Sequence, residues 1–414
     1  MTTPRGDTGM LPAHADIAII GGGLTGLACA RSLARAGLRV ALCEAQRFGW
    51  GASSRNGGMV LTGLKLDVSK LDKRYGRATA QAMFRASLAA IDLVEQIVGE
   101  EQIDCHFARS GHLIVASKPG HYAGLASEAE FLAAAFGHQT TLVPREQLSS
   151  EIGSAAFHGG LVDPLSAGVN PAKYVTGLAQ AAQRAGAHLF DQTTVIRVAQ
   201  EGSKQHITTT RGSFTADRVV VATGGYTGPA TPAIRRRVIP IGSYIIATEP
   251  LPAALAAELI PHDRMVFDTR NFLYYFRLTP DRRLLFGGRA GFFPETPSTV
   301  RQSAAILQRG MIEVFPQLRT TAIEYAWGGN VDFTFDMMPH AGQHDQLAYA
   351  VGYAGHGVAL ATYIGTHLGS QLAGQPSELP FGQPLPGAPL GLYDGRPWFL
   401  PFAGAWYKLL DWLT

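Results

Sequence analysis

Three glycines and one acid near the start of the 414-residue chain carry its clearest chemical signal. Ile17-Ala18-Ile19-Ile20 runs into Gly21-Gly22-Gly23-Leu24-Thr25-Gly26, and the next apolar run closes on Glu44, followed by Ala45 and Gln46. Gly21 permits a tight turn, Gly23 lets backbone N–H groups approach a pyrophosphate, and Gly26 lets a helix pack close to a strand. The N-terminus of that helix, at Leu24 and Thr25, offers unpaired N–H groups and the positive end of a dipole. Glu44, about 20 residues on, can accept hydrogen bonds from both ribose hydroxyls and disfavours a 2′-phosphate. The pattern predicts a dinucleotide site.

A second loop selects the dinucleotide. Gly49-Trp50-Gly51-Ala52-Ser53-Ser54-Arg55-Asn56-Gly57-Gly58-Met59 follows directly after the ribose acid. A nicotinamide enzyme needs no second phosphate-side loop there, whereas an extended FAD does. Ser53, Ser54, Arg55 and Asn56 supply donors for phosphate and ribityl oxygens, and Gly57 and Gly58 allow backbone close to the isoalloxazine ring. The expected cofactor is FAD.

The elements that must hold these residues alternate between strand and helix, which predicts an α/β fold. Its parts are a Rossmann-like FAD-binding domain and a second, mixed antiparallel-sheet substrate domain. Apolar spacing predicts a long helix over Leu71–Val98 and a strand around Gly111–Ala116. Pro171 to Arg184 reads as a helix, with proline in its first turn and Gly186 after its end. Strands follow at Thr193–Val198 and within 206–223. Ile239–Thr248, Asn271–Leu278 and Arg283–Gly287 read as antiparallel strands. Leu347–Val351 then leads through a glycine turn into a helix over Val358–Leu372. The expected partition has a disordered N-terminus (1–14) and an FAD-binding domain in three pieces (15–110, 150–235, 325–380). A substrate domain (111–149, 236–324) and an aromatic tail (381–414) complete it.

These motifs resemble the D-amino-acid oxidase superfamily of FAD enzymes, which includes glycine and sarcosine oxidases. The likeness is greatest to the γ-glutamylputrescine oxidase branch, whose members carry a G-[WY]-G-A-S-x-R-N-G-G stretch, read here at Gly49–Gly58. It extends from about Ala15 to the end of the chain. Further landmarks are Asp163-Pro164, Asn170-Pro171, Val221-Ala222-Thr223-Gly224, Gly287-Gly288-Arg289, Trp327-Gly328-Gly329 with Asp336 and Pro339, and Gly355-His356-Gly357.

The resemblance implies contacts from the Val195 strand to adenine, and from Ala222, Thr223, Gly224 and Gly329 within the cofactor site. It also implies a helix opening at Gly355-His356-Gly357-Val358-Ala359 that faces the flavin pyrimidine edge, where its dipole favours added negative charge. The implied reaction passes a hydride from the carbon beside an uncharged amine to flavin N5. The resulting imine hydrolyses, and O2 or another acceptor reoxidises the flavin. Such chemistry calls for positioning rather than a strong base, and Asp336 reads as a structural acceptor.

Departures from the sarcosine oxidase pattern are informative. Met59 and Ala359 stand where that branch has its carboxylate-binding arginine and lysine, and Leu285 lies near the position of its oxygen-activating lysine. Trp327-Gly328-Gly329-Asn330 lacks the cysteine that tethers flavin there, so FAD is expected to be noncovalent. The residues expected at the substrate and flavin are Arg289, Arg277, Tyr275 and His356. Strand alternation places Tyr275 and Arg277 on one face and Tyr274 on the other.

Composition narrows the alternatives. A formal charge of +3 gives no case for nucleic acid, and Arg235-Arg236-Arg237 reads as packing or solvated arginines. Three cysteines show no metal spacing, so no metal is expected, and reduced thiols suit a cytoplasmic protein. The first fourteen residues lack an apolar signal-peptide core, and no apolar run reaches membrane-spanning length. The aromatic tail, Trp398 to Trp412, suggests contact with a subunit or a membrane surface. Two further readings compete with amine oxidation. One is an α-hydroxy-acid dehydrogenase, which would need a histidine such as His106, His112 or His340 at flavin N5. The other is a non-catalytic flavin-binding interaction protein.

Overall fold

The computed structural model describes residues 6–288, 296–388 and 391–406, and the backbone alone of 289–291 and 407–413. The apolar run 17–20 lies in the strand His14–Ile20, at the middle of the first sheet. Gly212–Val221 and Val40–Cys43 flank it in parallel, with Ile20 opposite Val221 on one side and Cys43 on the other. Leu347–Val351 and His188–Phe190 extend the sheet outwards, and His340–His344 closes one edge antiparallel. Val195–Glu201 and Lys204–Thr209 form a hairpin joined to Gly212–Val221. The helices Leu24–Arg35, Pro171–Arg184, Gly357–Leu372 and Arg77–Glu100 pack together in the largest apolar core.

The second sheet runs Ile323–Phe333, Ile239–Thr248, Leu284–Gly291, Tyr275–Leu278, Met265–Asp268, His112–Val115, Gly159–Asp163, Thr141–Pro144. All neighbours are antiparallel except Met265–Asp268 beside His112–Val115. The helix Pro297–Val314 covers one face, where Phe276, Phe286 and Phe315 stack around Leu307 and Met311.

Three expectations need correction. Gly159–Asp163 and Ile323–Phe333 pair in the second sheet, so the boundary at 150 parts two of its neighbouring strands and the boundary at 325 cuts through a third. The helix expected over Leu71–Val98 is two helices, Val68–Tyr75 and Arg77–Glu100, parted at Gly76, whose φ of +78° no helix accommodates. At the N-terminus, Asp7 donates its amide to the Leu189 carbonyl, and Arg211 donates to the carbonyls of Asp7, Thr8 and Gly9. Residues 6–13 are therefore tied to the first sheet; residues 1–5 lie outside the described residues. In the tail, Tyr393 and Leu400 are buried against Ile239 and Phe335, whereas Trp398, Phe402 and Trp406 are exposed.

Candidate active site

One cavity of about 1910 Å³ passes between the two sheets. Ligand pockets usually measure about 300–1,000 Å³, so there is room here for a dinucleotide and a second molecule. Its lining joins residues expected from separate parts of the chain. Gly21, Gly23, Leu24, Thr25, Glu44, Ala45 and Gln46 lie at one end, and Val195, Ala222, Thr223 and Gly224 also line it. Gly51, Ala52, Ser53, Arg55, Asn56, Gly57 and Met59 follow, with Gly329, Gly355, His356, Gly357, Val358 and Tyr275.

The first turn is shaped by steric necessity. Gly21 has φ +110° and lies so close to Ala222 that a Cβ would stand 2.5 Å from its carbonyl oxygen. A Cβ on Gly26 would be driven into the Gly21 carbonyl. Glu44 closes the turn: its Oε2 accepts from the Gly22 amide at 2.7 Å and its Oε1 from the Gln46 amide at 2.8 Å. Burial raises its pKa, against the opposing pull of these amides.

The second loop is stapled internally. Ser53 Oγ accepts from the Leu24 amide at 3.0 Å, at the opening of the first helix. Asn56 Nδ2 donates to the Ala52 and Ser53 carbonyls, and its Oδ1 accepts from Gly58. Arg55 lies 4.3 Å over the Trp50 ring and donates to the Gly328 carbonyl. Its own carbonyl accepts from Trp327 Nε1.

Several expected contacts are displaced. Ser54, Gly58 and Ala359 do not line the cavity: Ser54 is turned off by the short Ala52–Arg55 helix, and Ala359 is buried in the core. Gly58 is held behind the wall, its carbonyl accepting from Val169. Gly26 also stays off the cavity, as its packing role requires. Arg277 is the larger correction. It shares a sheet face with Tyr275 but reaches beneath the second loop, donating from Nε to Gly57 and from Nη2 to Val169, both carbonyls at 2.6 Å. Burial lowers its pKa to about 10. It is a strut for the cofactor loop, not a wall of the substrate space. Arg289 has its backbone on the Leu284–Gly291 strand, and its side chain lies outside the described residues.

Tyr275 does reach the cavity, with its hydroxyl 3.2 Å from Ser243 Oγ and its pKa pushed up to about 12 by burial. Tyr274 packs on Phe286, on the opposite face. His356 caps the Gly357–Leu372 helix; its buried Nδ1 has no partner, and burial followed by the charge of Lys65 lowers its pKa to about 3. Of His106, His112 and His340, only His112 lines the cavity. His340 is bound to Asp336, and His106 is exposed beside Lys173.

Sequence reasoning missed the wall around His112. His112 stacks on Phe267, and its Nδ1 lies 2.8 Å from Ser166 Oγ. Burial lowers its pKa to about 4. Beside it, Asp163 is bound by His138 Nε2 and Thr62 Oγ1, each at 2.7 Å. Burial would raise Asp163, but the His138 contact and nearby histidine charge hold it at about 2. Lys65, Phe84 and Phe131 complete this end. Asp163 is marked only by its Asp-Pro landmark and His112 only as a candidate base; no local pattern joins them to His138, Thr62 or Lys65, because these residues arrive from distant segments.

Two expected results follow. Unfolded His112 takes up a proton near pH 6.5, whereas the folded residue resists until about pH 4. The unfolded state therefore binds more protons in that window, and stability falls as pH drops through it, by up to about 3 kcal/mol. A plot of Tm against pH should fall from 6.5 towards 4, and His112→Gln should flatten part of it; an equally steep variant curve removes His112 as a cause. His356 adds a loss of the same sign. Glu44→Ala should weaken FAD binding at least about tenfold, since hydrogen bonds to a charged group contribute about 1.5–3 kcal/mol each. Unchanged affinity in an FAD titration of the apoprotein would exclude Glu44 as the ribose ligand.

The donor set fits FAD. Two helix N-termini and a glycine turn face the same cavity, Glu44 stands at one end, and an orphaned histidine nitrogen lies towards the other. Cys43 lines the cavity too, and burial pushes its thiol up to about 12.

Comparison with known proteins agrees. The family described as DAO, FAD dependent oxidoreductase, matches residues 16–371. A probable oxidoreductase OrdL of Rhizobium meliloti is 36% identical over 96% of this chain and 92% of its own length. Gamma-glutamylputrescine oxidoreductase of Escherichia coli is 32% identical over the same shares. The crystal structure of glycine oxidase from Geobacillus kaustophilus superposes with a TM-score of 0.75 at 23% identity, over 91% of this chain and all of that one. It supports the fold. Among the described residues, no helix is long and apolar enough to cross a membrane.

Proposed function

Because this chain belongs to the DAO family of FAD dependent oxidoreductases, we propose that it oxidises the C–N bond of a primary or secondary amine. The observation that carries this reading is the continuity of the cavity. A glycine-and-acid cradle suited to FAD opens directly into a half-apolar compartment bounded by Tyr275, His112, Lys65 and Phe84. The gamma-glutamylputrescine oxidoreductase and glycine oxidase relatives support an amine. Bound FAD supplies a two-electron acceptor beside that compartment.

The chain's own residues then have distinct tasks. Gly23, Leu24, Thr25 and Ser53 hold the pyrophosphate, Glu44 the ribose, and the His356 cap the flavin edge. Tyr275 and the aromatic wall exclude water and orient the amine. Lys65, a cation on the wall of this compartment, opposes a second positive charge there and so favours the amine with its lone pair available. Loss of a hydride equivalent from carbon, with the lone pair closing the C=N bond, gives an iminium, which releases its N–H proton to water to leave the imine. Water then converts it to a carbonyl and a free amine. O2 or another carrier takes the electrons.

Anaerobic mixing with a panel of amines and α-hydroxy acids tests the assignment. Bleaching of the flavin absorbance by amines is expected. Bleaching by hydroxy acids alone would overturn it and favour the α-hydroxy-acid reading, for which His112 is the one of His106, His112 and His340 that lines the cavity. FAD should leave the protein on acid precipitation; yellow colour retained in the washed pellet would refute noncovalent binding.

A further inference from the structure

We propose that Lys65 is the anion anchor of the substrate compartment, so that the preferred amine carries a carboxylate remote from the oxidised carbon. This inference rests on the amine reading above. Four described cationic side chains line the cavity, and three are engaged. Lys70 pairs with Asp67, Arg270 with Asp268, and Arg55 lies over Trp50 and donates to Gly328. Lys65 has no hydrogen-bond or ion-pair partner among the described residues.

Its placement is fixed by the chain around it. Thr62 donates its amide to Ser166 Oγ and its hydroxyl to Asp163, and the Gly63 amide donates to Ser87 Oγ. Leu64 and Leu66 are buried in the main core on either side. With both neighbours committed inwards, the side chain between them lines the cavity. Burial lowers its pKa, and the charge of Asp67 opposes that shift only in part. A half-buried ammonium lacking a counter-ion is a costly arrangement that an incoming carboxylate relieves. Lys65 also lies close enough to His356 for its charge to act there, which puts the anchor in the same compartment as the flavin-edge helix. Of the two arginines expected from sequence near the substrate, Arg277 is already engaged with the Gly57 and Val169 carbonyls, and the side chain of Arg289 lies outside the described residues.

The test is calorimetry on the FAD-loaded protein with two unreactive probes. One is N-butylglutaramate, a monocarboxylate; the other is N-butylbutanamide, its uncharged counterpart. The native protein should prefer the glutaramate at least about tenfold. Lys65→Met should abolish that preference, weakening the glutaramate at least about tenfold while the amide is unchanged, and Lys65→Arg should restore most of it. Lys65→Gln provides a second neutral variant if the methionine protein does not fold. No native preference, equal weakening of both probes, or unaltered glutaramate binding in the neutral variants overturns the proposal. Amine-driven bleaching on the same preparation reads the reaction separately. A Lys65-dependent preference without bleaching keeps the anchor and overturns only the amine.

Discussion

Gly26→Ala should give little or no FAD-loaded protein. The added methyl would meet the Gly21 carbonyl oxygen, which belongs to the cofactor turn and cannot swing aside as a side chain would. Overpacking typically costs about 1–3 kcal/mol when side chains can adjust, and this backbone obstacle should exceed that range. The ratio of flavin to protein absorbance and the Tm read the effect. Gly99→Ala is the control. It lies near the end of the Arg77–Glu100 helix, where an added methyl group would have nothing within 4 Å, and should stabilise by about 0.5–1 kcal/mol. A fully yellow Gly26→Ala protein with native Tm would show that the turn yields.

Arg277→Met should act on cofactor retention before it acts on substrate. It strips two buried carbonyls, Gly57 and Val169, of donors at 2.6 Å, and each orphaned acceptor costs about 1–3 kcal/mol. Gly57 lies on the cofactor loop, so FAD should dissociate more readily and the Tm should fall by several degrees. Lysine offers a point charge and cannot reproduce the two-pronged grip. Full FAD loading with a raised KM for anionic amines alone would return Arg277 to the substrate space.

These two residues mark what the sequence reveals. The Gly21–Gly26 turn is legible because its steric demands are local: strand, turn and helix lie within one short stretch. The Pro171–Arg184 helix is legible for the same reason, with Asn170 capping the Lys173 amide. Strand parity assigns Arg277 to the correct face. Parity does not fix depth, and the arginine ends under the loop. Gly159–Asp163 escapes placement, since its partners His112–Val115 and Thr141–Pro144 are chosen by packing across the sheet. Lys65 is invisible because Lys70 and Lys73 follow it closely, and a run of charges reads as a solvated surface.

The interleaved first sheet also governs how the protein is made. His14–Ile20 and Val40–Cys43 are synthesised early, but Gly212–Val221 and Leu347–Val351 emerge far later. Until then the central strand presents an unpaired apolar edge, the kind of surface through which partly folded chains associate. Closing such long loops is slow, and the cofactor cradle needs Ala222 against Gly21, so flavin can capture only the completed sheet. The yield of yellow protein in a cell is therefore a race between sheet completion and aggregation. Slower synthesis at lower temperature, with ample flavin, should favour the first.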